Sequence, residues 1–156
     1  MSIETGKAYF ETFGIADKVL EFSVSSATVA LAAEALGCEE ARIAKSLSFM
    51  VNDAPIMIIT AGDVKIDNAK YKAYFGKKAK MLTPDEALDL IGHAVGGICP
   101  FAVNDTAKIY LDVSLKRFET VFPACGSSNS AIELTIPELE KYSNYIAWID
   151  VCKNYQ

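Results

Sequence analysis

Two strand-like segments joined by a short connection constrain the fold of this 156-residue chain most strongly. Residues 43–51 alternate in the manner of a strand, and residues 56–60 are almost wholly apolar. The four residues between them, 52–55, are few enough for a β-hairpin, in which the two strands run antiparallel. We therefore predict an α/β fold of the α+β type, a single domain whose mixed, largely antiparallel sheet is surrounded by helices.

Signals for further strands and for helices alternate along the chain. Strand-like runs occupy residues 19–24, 109–112, 119–122, 132–135 and 146–151. Helices are predicted where Ser, Thr or Asp precedes a helix-like run and Gly follows it. By this rule helices begin after Ser26, Asp67, Thr83 and Thr135, and the first three end at Gly37, Gly76 and Gly92. Thr83 and Thr135 are each followed three residues later by Glu, the pattern of a capping box.

The composition is that of a globular protein. Hydrophobic residues make up 51% of the chain, charged residues 22%, and the formal net charge is −5. No apolar run approaches the roughly 18 residues of a membrane helix, and the first residues lack the pattern of a signal peptide. The four cysteines form no Cys-x-x-Cys pair, so neither a zinc site nor a disulfide framework is expected. We expect one domain over residues 1–156, cytoplasmic and without membrane association, with its oligomeric state left open.

A lysine interrupts the apolar face of the first strand-like segment. The odd positions of residues 43–51 carry Ile, Lys, Leu, Phe and Val, so strand periodicity places Lys45 on the apolar side. An unpaired ammonium is rarely buried. This lysine therefore either lines a cleft or sits at a frayed strand start and extends to water. We interpret Lys45 as a cavity-lining residue.

A glycine-proline loop follows the helix that is predicted to end at Gly92. Gly96 and Gly97 permit backbone conformations that a Cβ forbids, and Pro100 stiffens the exit of the turn. Such a loop can present amide N–H groups to a carbonyl or an oxyanion, although a plain tight turn has the same sequence. A second small and polar loop, residues 125–130, can form a cavity wall.

Three other side chains are candidate site residues. Cys99 can serve as a nucleophile only if a base is near, and His93, the only histidine, lies six residues away without a third orienting group. A lone histidine is more often a surface or helix-end residue. Asp112 ends a strand-like run, where it either faces a cleft or caps the turn at Ser114.

Residues 65–80 form a basic segment in an acidic chain. Tyr71, Tyr74 and Phe75 have the spacing of a core-facing helical stripe, which leaves Lys70 and Lys72 outward. The segment is either a solvated surface or an edge that contacts phosphates, which depends on local rather than net charge. Its only acidic residue is Asp67, and its lysines are Lys65, Lys70, Lys72, Lys77, Lys78 and Lys80.

Taken in order, these segments resemble the YbaK/EbsC family of free-standing aminoacyl-tRNA deacylases, which is similar to the editing insertion domain of bacterial prolyl-tRNA synthetase. The resemblance covers nearly the whole chain and rests on the strand with Lys45 and on the Gly-x-x-x-Pro loop of residues 96–100. The segments 75–81, 109–112 and 125–134 follow in the same order. Two positions differ from the family pattern. Cys99 occupies a position where relatives often have Ser, and the second loop has only Gly126 where many relatives have two glycines.

The resemblance implies a trans-editing hydrolase that removes a small wrong amino acid, such as Cys, Ala, Ser or Thr, from a proline tRNA. It implies catalytic roles for Lys45, Gly96, Gly97 and Pro100, and substrate binding by Ile98, Cys99, Asp112, Gly126 and Ser127. From the basic segment, Lys70, Lys77, Lys78 and Lys80 are the predicted RNA contacts. The partners implied are the aminoacyl-tRNA acceptor end and prolyl-tRNA synthetase, and no cofactor or metal is expected. The alternatives are a binding module without turnover and a hydrolase that depends on Cys99.

Overall fold

The computed structural model describes residues 3–93, 98–104 and 106–154. The predicted loop residues Gly96 and Gly97 lie outside this range. The α-helices are α1 (Ile3–Glu11), α2 (Val29–Leu36), α3 (Asn68–Phe75), α4 (Pro84–Glu86), which continues as a π-helical turn at Ala87–Ile91, and α5 (Ile136–Ser143). Short 3₁₀ turns occupy Ala16–Lys18, Glu40–Arg42 and Val113–Arg117.

The strands form one large sheet and two small ones. The six-stranded sheet has the order β8-β6-β2-β3-β5-β9, and β1 pairs with β7 and β4 with β10. The strands are β1 (Leu20–Glu21), β2 (Ile43–Val51), β3 (Ala54–Ala61), β4 (Val64–Ile66), β5 (Lys108–Asp112), β6 (Thr120–Pro123), β7 (Ser130–Ala131), β8 (Leu134–Thr135), β9 (Ala147–Ile149) and β10 (Cys152–Asn154).

The predicted hairpin is the centre of the large sheet. β2 and β3 pair antiparallel from Ala44 opposite Ala61 to Val51 opposite Ala54. The turn between them consists of Asn52 and Asp53, both with positive φ. The mixed sheet is therefore confirmed. β2–β6, β3–β5 and β5–β9 pair in parallel, so parallel pairing has a larger part in this sheet than the sequence predicted.

The predicted helix caps at Asp67, Thr83 and Thr135 are present. Both threonines form complete capping boxes, and the Asp67 carboxylate accepts from the Ala69 and Lys70 amides. The start predicted at Ser26 is wrong, because Thr28 caps α2 by accepting from the Leu31 amide at 3.2 Å. The Ser26 hydroxyl instead donates to the Ser128 carbonyl. Helix α1 was not predicted.

Helix α3 packs on the sheet through aromatic side chains. The Tyr71 ring lies 5.2 Å from Phe49 of β2, and the Phe75 ring lies 5.3 Å from Tyr110 of β5. Tyr71 is fully buried, but Tyr74 is 51% exposed, so the predicted core stripe is correct for Tyr71 and wrong for Tyr74. The Tyr74 ring contacts the rings of Phe75 and Tyr110 edge-on and is otherwise open to solvent on one side.

Candidate functional site

A cavity of about 310 Å³ opens beside strand β2. Its walls come from separate parts of the chain: the start of α2, one edge of β2, the segment between α3 and the π-helical turn, Ile98, and the strands β6 and β7. Most of the lining side chains are small. They include Ala27, Ala32, Ala44, Ala87, Ala124 and Ala131, together with Val29, Leu47, Leu82 and Phe122.

The cavity lies where the edge of β2 changes partners. At one end, Ile43 and Ala44 pair with β6. At the other end, the Met50 amide donates to the Lys80 carbonyl at 2.9 Å, and the Ser48 carbonyl accepts from the Leu82 amide at 3.1 Å. The stretch between these two contacts, residues 45–47, lines the cavity. The sheet therefore presents an open edge to this space within the described part of the chain.

Lys45 lies in this open stretch. Its side chain is half-buried and lines the cavity, and its ammonium donates a hydrogen bond to the Val64 carbonyl. The strand begins two residues earlier, at Ile43, so Lys45 does not sit at a frayed start. The cavity-lining interpretation therefore fits the structure, although the acceptor that binds the ammonium, Val64, does not itself line the cavity.

The charge of Lys45 acts on the carboxylate of Asp63. The pKa of Asp63 is lowered mainly by its hydrogen bond from Arg117, then by the charge of Arg117, and least by the charge of Lys45. Arg117 Nη1 donates to Asp63 at 3.0 Å, so this carboxylate is already paired. The positive charge of Lys45 is therefore only weakly compensated by Asp63.

Hydroxyl groups line the cavity together with Lys45. Ser130 belongs to the loop of residues 125–130 that is predicted to form a cavity wall, whereas the other hydroxyl groups were missed. Ser130 is buried, and its hydroxyl accepts from Ser127 at 2.8 Å. The Ser46 hydroxyl is buried and has no hydrogen-bond partner among the described residues. The small even-numbered residues of β2 were the available signal. Ser26, Thr28, Ser46, Ser48 and Ser130 make up this set.

The predicted loop residues are divided between the cavity and its surroundings. Ile98 lines the cavity. Pro100 is buried and lines a second space of about 350 Å³ instead. Gly126, at φ 94°, and Ser127 also lie outside the cavity lining, which takes Ser130 and Ala131 from the same loop. The structure thus brings Lys45 and Ile98 together from the predicted set.

Cys99 and His93 are closer than their sequence separation suggested. The Cys99 sulfur lies 3.7 Å from His93 Nε2, and both side chains are fully buried. Of the two expected placements, His93 is therefore a helix-end residue, directly after Gly92, and not a surface residue. Burial raises the pKa of the Cys99 thiol to about 12 and lowers the pKa of His93, so both groups are neutral near pH 7. A buried, protonated thiol is a poor nucleophile.

Asp112 lies away from the cavity and serves the fold. The residue is buried, and its two carboxylate oxygens accept from the Ser114 amide at 2.9 Å and the Val151 amide at 3.0 Å. The alternative in which Asp112 caps the turn at Ser114 matches these contacts. Its predicted role in substrate binding finds no support in them.

The lysines of the basic segment are not equivalent. The Lys70 ammonium contacts Asp150 at 3.1 Å and the Cys152 carbonyl at 3.0 Å, so it is already engaged by the protein. Lys77, Lys78 and Lys80 are exposed. The chain passes from Lys80 directly to Met81, which lines the cavity and is 58% exposed. The basic segment therefore leads to the cavity mouth.

Comparison with known proteins identifies the family. The model of the aminoacyl-tRNA editing domain matches residues 24–142. This chain belongs to the aminoacyl-tRNA editing domain family. The matched range contains every wall of the cavity, from Ser26 to Ala131.

Relatives of this editing domain occur both alone and within larger proteins. The uncharacterized protein YwhH of Bacillus subtilis is 53% identical, and the match covers 100% of both chains. The proline–tRNA ligase of Lactiplantibacillus plantarum is 27% identical over 70% of this chain, which corresponds to 19% of the ligase. The ligase of Halalkalibacterium halodurans is 32% identical over 66% of this chain and 18% of its own. The editing domain thus matches only a small part of each ligase.

Solved structures share the fold of this editing domain. One, described as a candidate trans-editing enzyme for prolyl tRNA synthetase, superposes with a TM-score of 0.87 at 28% identity and covers 99% of both chains. The hypothetical protein APE2540 superposes with a TM-score of 0.77 at 26% identity, over 86% of this chain and 90% of its own.

Among the described residues no helix is long and apolar enough to cross a membrane.

Proposed function

We propose that this protein is a trans-editing aminoacyl-tRNA deacylase, in which residues 1–156 act as one editing domain on proline tRNA that carries a wrong amino acid. The observation that carries the proposal is the cavity beside β2, which both Lys45 and Ile98 line. Membership in the editing-domain family and the structural similarity to a candidate trans-editing enzyme support it.

The proposed reaction is hydrolysis of the ester between the amino acid and the terminal ribose. Water attacks the ester carbonyl carbon, and backbone amides of residues 96–100 stabilise the oxyanion of the tetrahedral intermediate. The bond from carbon to the ribose oxygen then breaks, that oxygen takes a proton, and free amino acid and tRNA are released. Lys45 positions the acceptor end or the aminoacyl group. The buried Cys99 takes no covalent part in this scheme.

We propose that the cavity accepts a small amino acid. Its wall is built mostly from alanine side chains and hydroxyl groups, which leave about 310 Å³. A synthetase site shaped for proline excludes smaller amino acids poorly, since one methylene is worth only about 10–200-fold in discrimination. A second site that hydrolyses these smaller products supplies the remaining accuracy. Cys, Ala, Ser and Thr are the proposed substrates.

The acidic chain suggests that RNA binding is local or assisted. The net charge of −5 disfavours general binding to phosphates. The exposed lysines of the basic segment, which end at the cavity mouth, offer one local contact for the acceptor end. We propose that prolyl-tRNA synthetase is the partner that supplies the remaining affinity.

A panel of proline tRNAs charged with Cys, Ala, Ser, Thr or Pro tests the proposed function. Wild-type protein is compared with Lys45→Ala, Gly96→Ala and Cys99→Ala, after circular dichroism has shown that each variant is folded. We expect deacylation of at least one mischarged tRNA, a loss of about 10²–10³-fold in Lys45→Ala and Gly96→Ala, and retention in Cys99→Ala. Cys99→Ala is the matched control, because it changes a side chain of the same loop that does not line the cavity.

The panel also separates the alternatives. Tight binding of tRNA without turnover of any substrate would contradict the proposal and favour the binding module. Loss of activity in Cys99→Ala alone would favour the thiol mechanism. Between pH 6 and 9 we expect wild type and Cys99→Ala to share one pH–rate profile, because the pKa of Cys99, at about 12, lies above this range.

A further inference from the structure

His93 is hydrogen-bonded to Phe101, which lies eight residues later in the chain. Its side chain is fully buried, and Nε2 lies 2.7 Å from the carbonyl oxygen of Phe101. A carbonyl oxygen can only accept a hydrogen bond, so Nε2 carries the proton and donates. The chain before the segment of residues 94–100 and the chain after it are therefore connected by an imidazole–carbonyl hydrogen bond.

Phe101 is a fixed anchor for this hydrogen bond. Its side chain is fully buried, and its ring centroid lies 4.8 Å from that of Phe10 in α1. The Cys99 thiol donates to the same Phe101 carbonyl at 3.6 Å. The acceptor is thus held in the core, and His93 attaches the other end of the segment to it.

Asn104 makes a second connection at the same place. Its backbone amide donates to the Ile91 carbonyl at 3.0 Å, and its side-chain Nδ2 donates to the Asp89 carbonyl at 3.0 Å. Gly92 has φ 101°, and a Cβ there would approach Asn104 Oδ1 to 3.2 Å. These contacts hold the π-helical turn against residues 101–104.

We propose that His93 is a positioning residue that holds residues 98–101 against the cavity by its hydrogen bond to Phe101. The inference rests on the proposed function, because Ile98 lines the cavity and the amides of residues 96–100 are the proposed oxyanion donors. Its importance follows from geometry, since a displacement of about 1 Å can cost a reaction about 10²-fold. His93 itself takes no part in proton transfer in this scheme.

Two substitutions at His93 separate its hydrogen bond from its volume. His93→Phe keeps a buried ring but removes the donor, whereas His93→Gln keeps an N–H near the position of Nε2. We expect His93→Phe to lower kcat for deacylation by about 10–10²-fold while KM for tRNA changes less than about twofold. We expect His93→Gln to recover most of kcat. Thr135→Ala, which removes a capping hydrogen bond of α5, is the control for a general loss of stability.

Amide hydrogen exchange at Ile98, Cys99 and Phe101 tests the positioning independently of activity. We expect exchange there to accelerate about tenfold or more in His93→Phe and to stay near wild type in His93→Gln and Thr135→Ala. Unchanged exchange in His93→Phe, an equal loss in both His93 variants, or an equal loss of kcat in Thr135→Ala would overturn the inference. If wild type deacylates nothing in the panel, the proposed function fails, and exchange still decides whether His93 positions the segment.

Discussion

Lys45 and Asp112 show how differently a charged side chain can be placed in this fold. Both lie in strands of the large sheet, but only Lys45 lines the cavity. The two oxygens of Asp112 each accept from a backbone amide, at Ser114 and Val151. This carboxylate is buried, each oxygen has a backbone donor, and Asp112 does not line the cavity beside β2. We therefore assign Asp112 to the stability of the fold rather than to substrate binding.

Substitution of Asp112 tests this assignment. Asp112→Ala leaves two amide donors without their acceptor, and each unsatisfied buried donor costs about 1–3 kcal/mol. We expect the free energy of unfolding, measured by urea denaturation, to fall by about 2–4 kcal/mol in Asp112→Ala. Asp112→Asn keeps one carbonyl acceptor, so its loss should be smaller. A stable Asp112→Asn protein without deacylation activity would contradict the assignment and restore the role in substrate binding.

The β2–β3 hairpin is the element on which the site depends. It carries Lys45, and its turn places both Asn52 and Asp53 at positive φ, at 51° and 65°. Two-residue hairpin turns of this kind favour Asn-Gly, because glycine adopts positive φ without a steric penalty. Glycine at position 53 should therefore give a more stable turn than the native Asp53.

Replacement of Asp53 by glycine should stabilise the hairpin. We expect the free energy of unfolding to rise by about 0.5–1 kcal/mol in Asp53→Gly and to fall in Asp53→Val, since a β-branched residue is strained at positive φ. Urea denaturation with an unchanged m value is the measurement. Equal midpoints for the two variants would show that the turn does not limit stability. Deacylation should be the same in Asp53→Gly as in wild type, because the turn lies at the far end of β2 from Lys45.

The elements that the sequence predicted are those with local signals. The hairpin, the capping boxes at Thr83 and Thr135, and the Asp67 cap each depend on residues within a few positions of one another. Strand pairs between distant segments were missed, such as β4 with β10. The predicted strand 146–151 is in fact β9, which pairs with β5, and the chain then enters β10. Such pairings are set by tertiary packing, which a local pattern does not contain.

At the scale of the whole molecule, the site is assembled from distant parts of the chain. Sequence periodicity placed Lys45 on an apolar face, and Ile98 belongs to the predicted glycine-proline loop. Of the hydroxyl groups in the wall, only Ser130 lies in a segment that was predicted to form one, because the direction of the others depends on how α2 meets β2. The contact between His93 and Cys99 was not expected either, since a separation of six residues in the sequence does not by itself bring two side chains together.

Charge distribution gives a prediction for the whole molecule. Lys77 and Lys78 are exposed on the basic segment next to the cavity mouth. If they contact RNA phosphates, charge reversal removes counterion release, which contributes about 0.7–0.9 to the slope of log K against log salt for each phosphate. We expect Lys77→Glu/Lys78→Glu to weaken tRNA binding and to reduce this slope by about 1.4–1.8. Fluorescence anisotropy between about 50 and 200 mM salt measures both quantities.

The control for this experiment has the same change in net charge at another place. Lys18→Glu/Lys141→Glu alters residues that lie near Glu138 and Phe13, and neither residue lines the cavity. If the contact is local, only Lys77→Glu/Lys78→Glu should reduce the slope of log K against log salt. An effect of overall charge predicts that both variants weaken binding alike, since long-range repulsion depends on the total charge and is screened by salt. Equal slopes in wild type and Lys77→Glu/Lys78→Glu would mean that the basic segment is solvated surface and that the acceptor end reaches the cavity by another route.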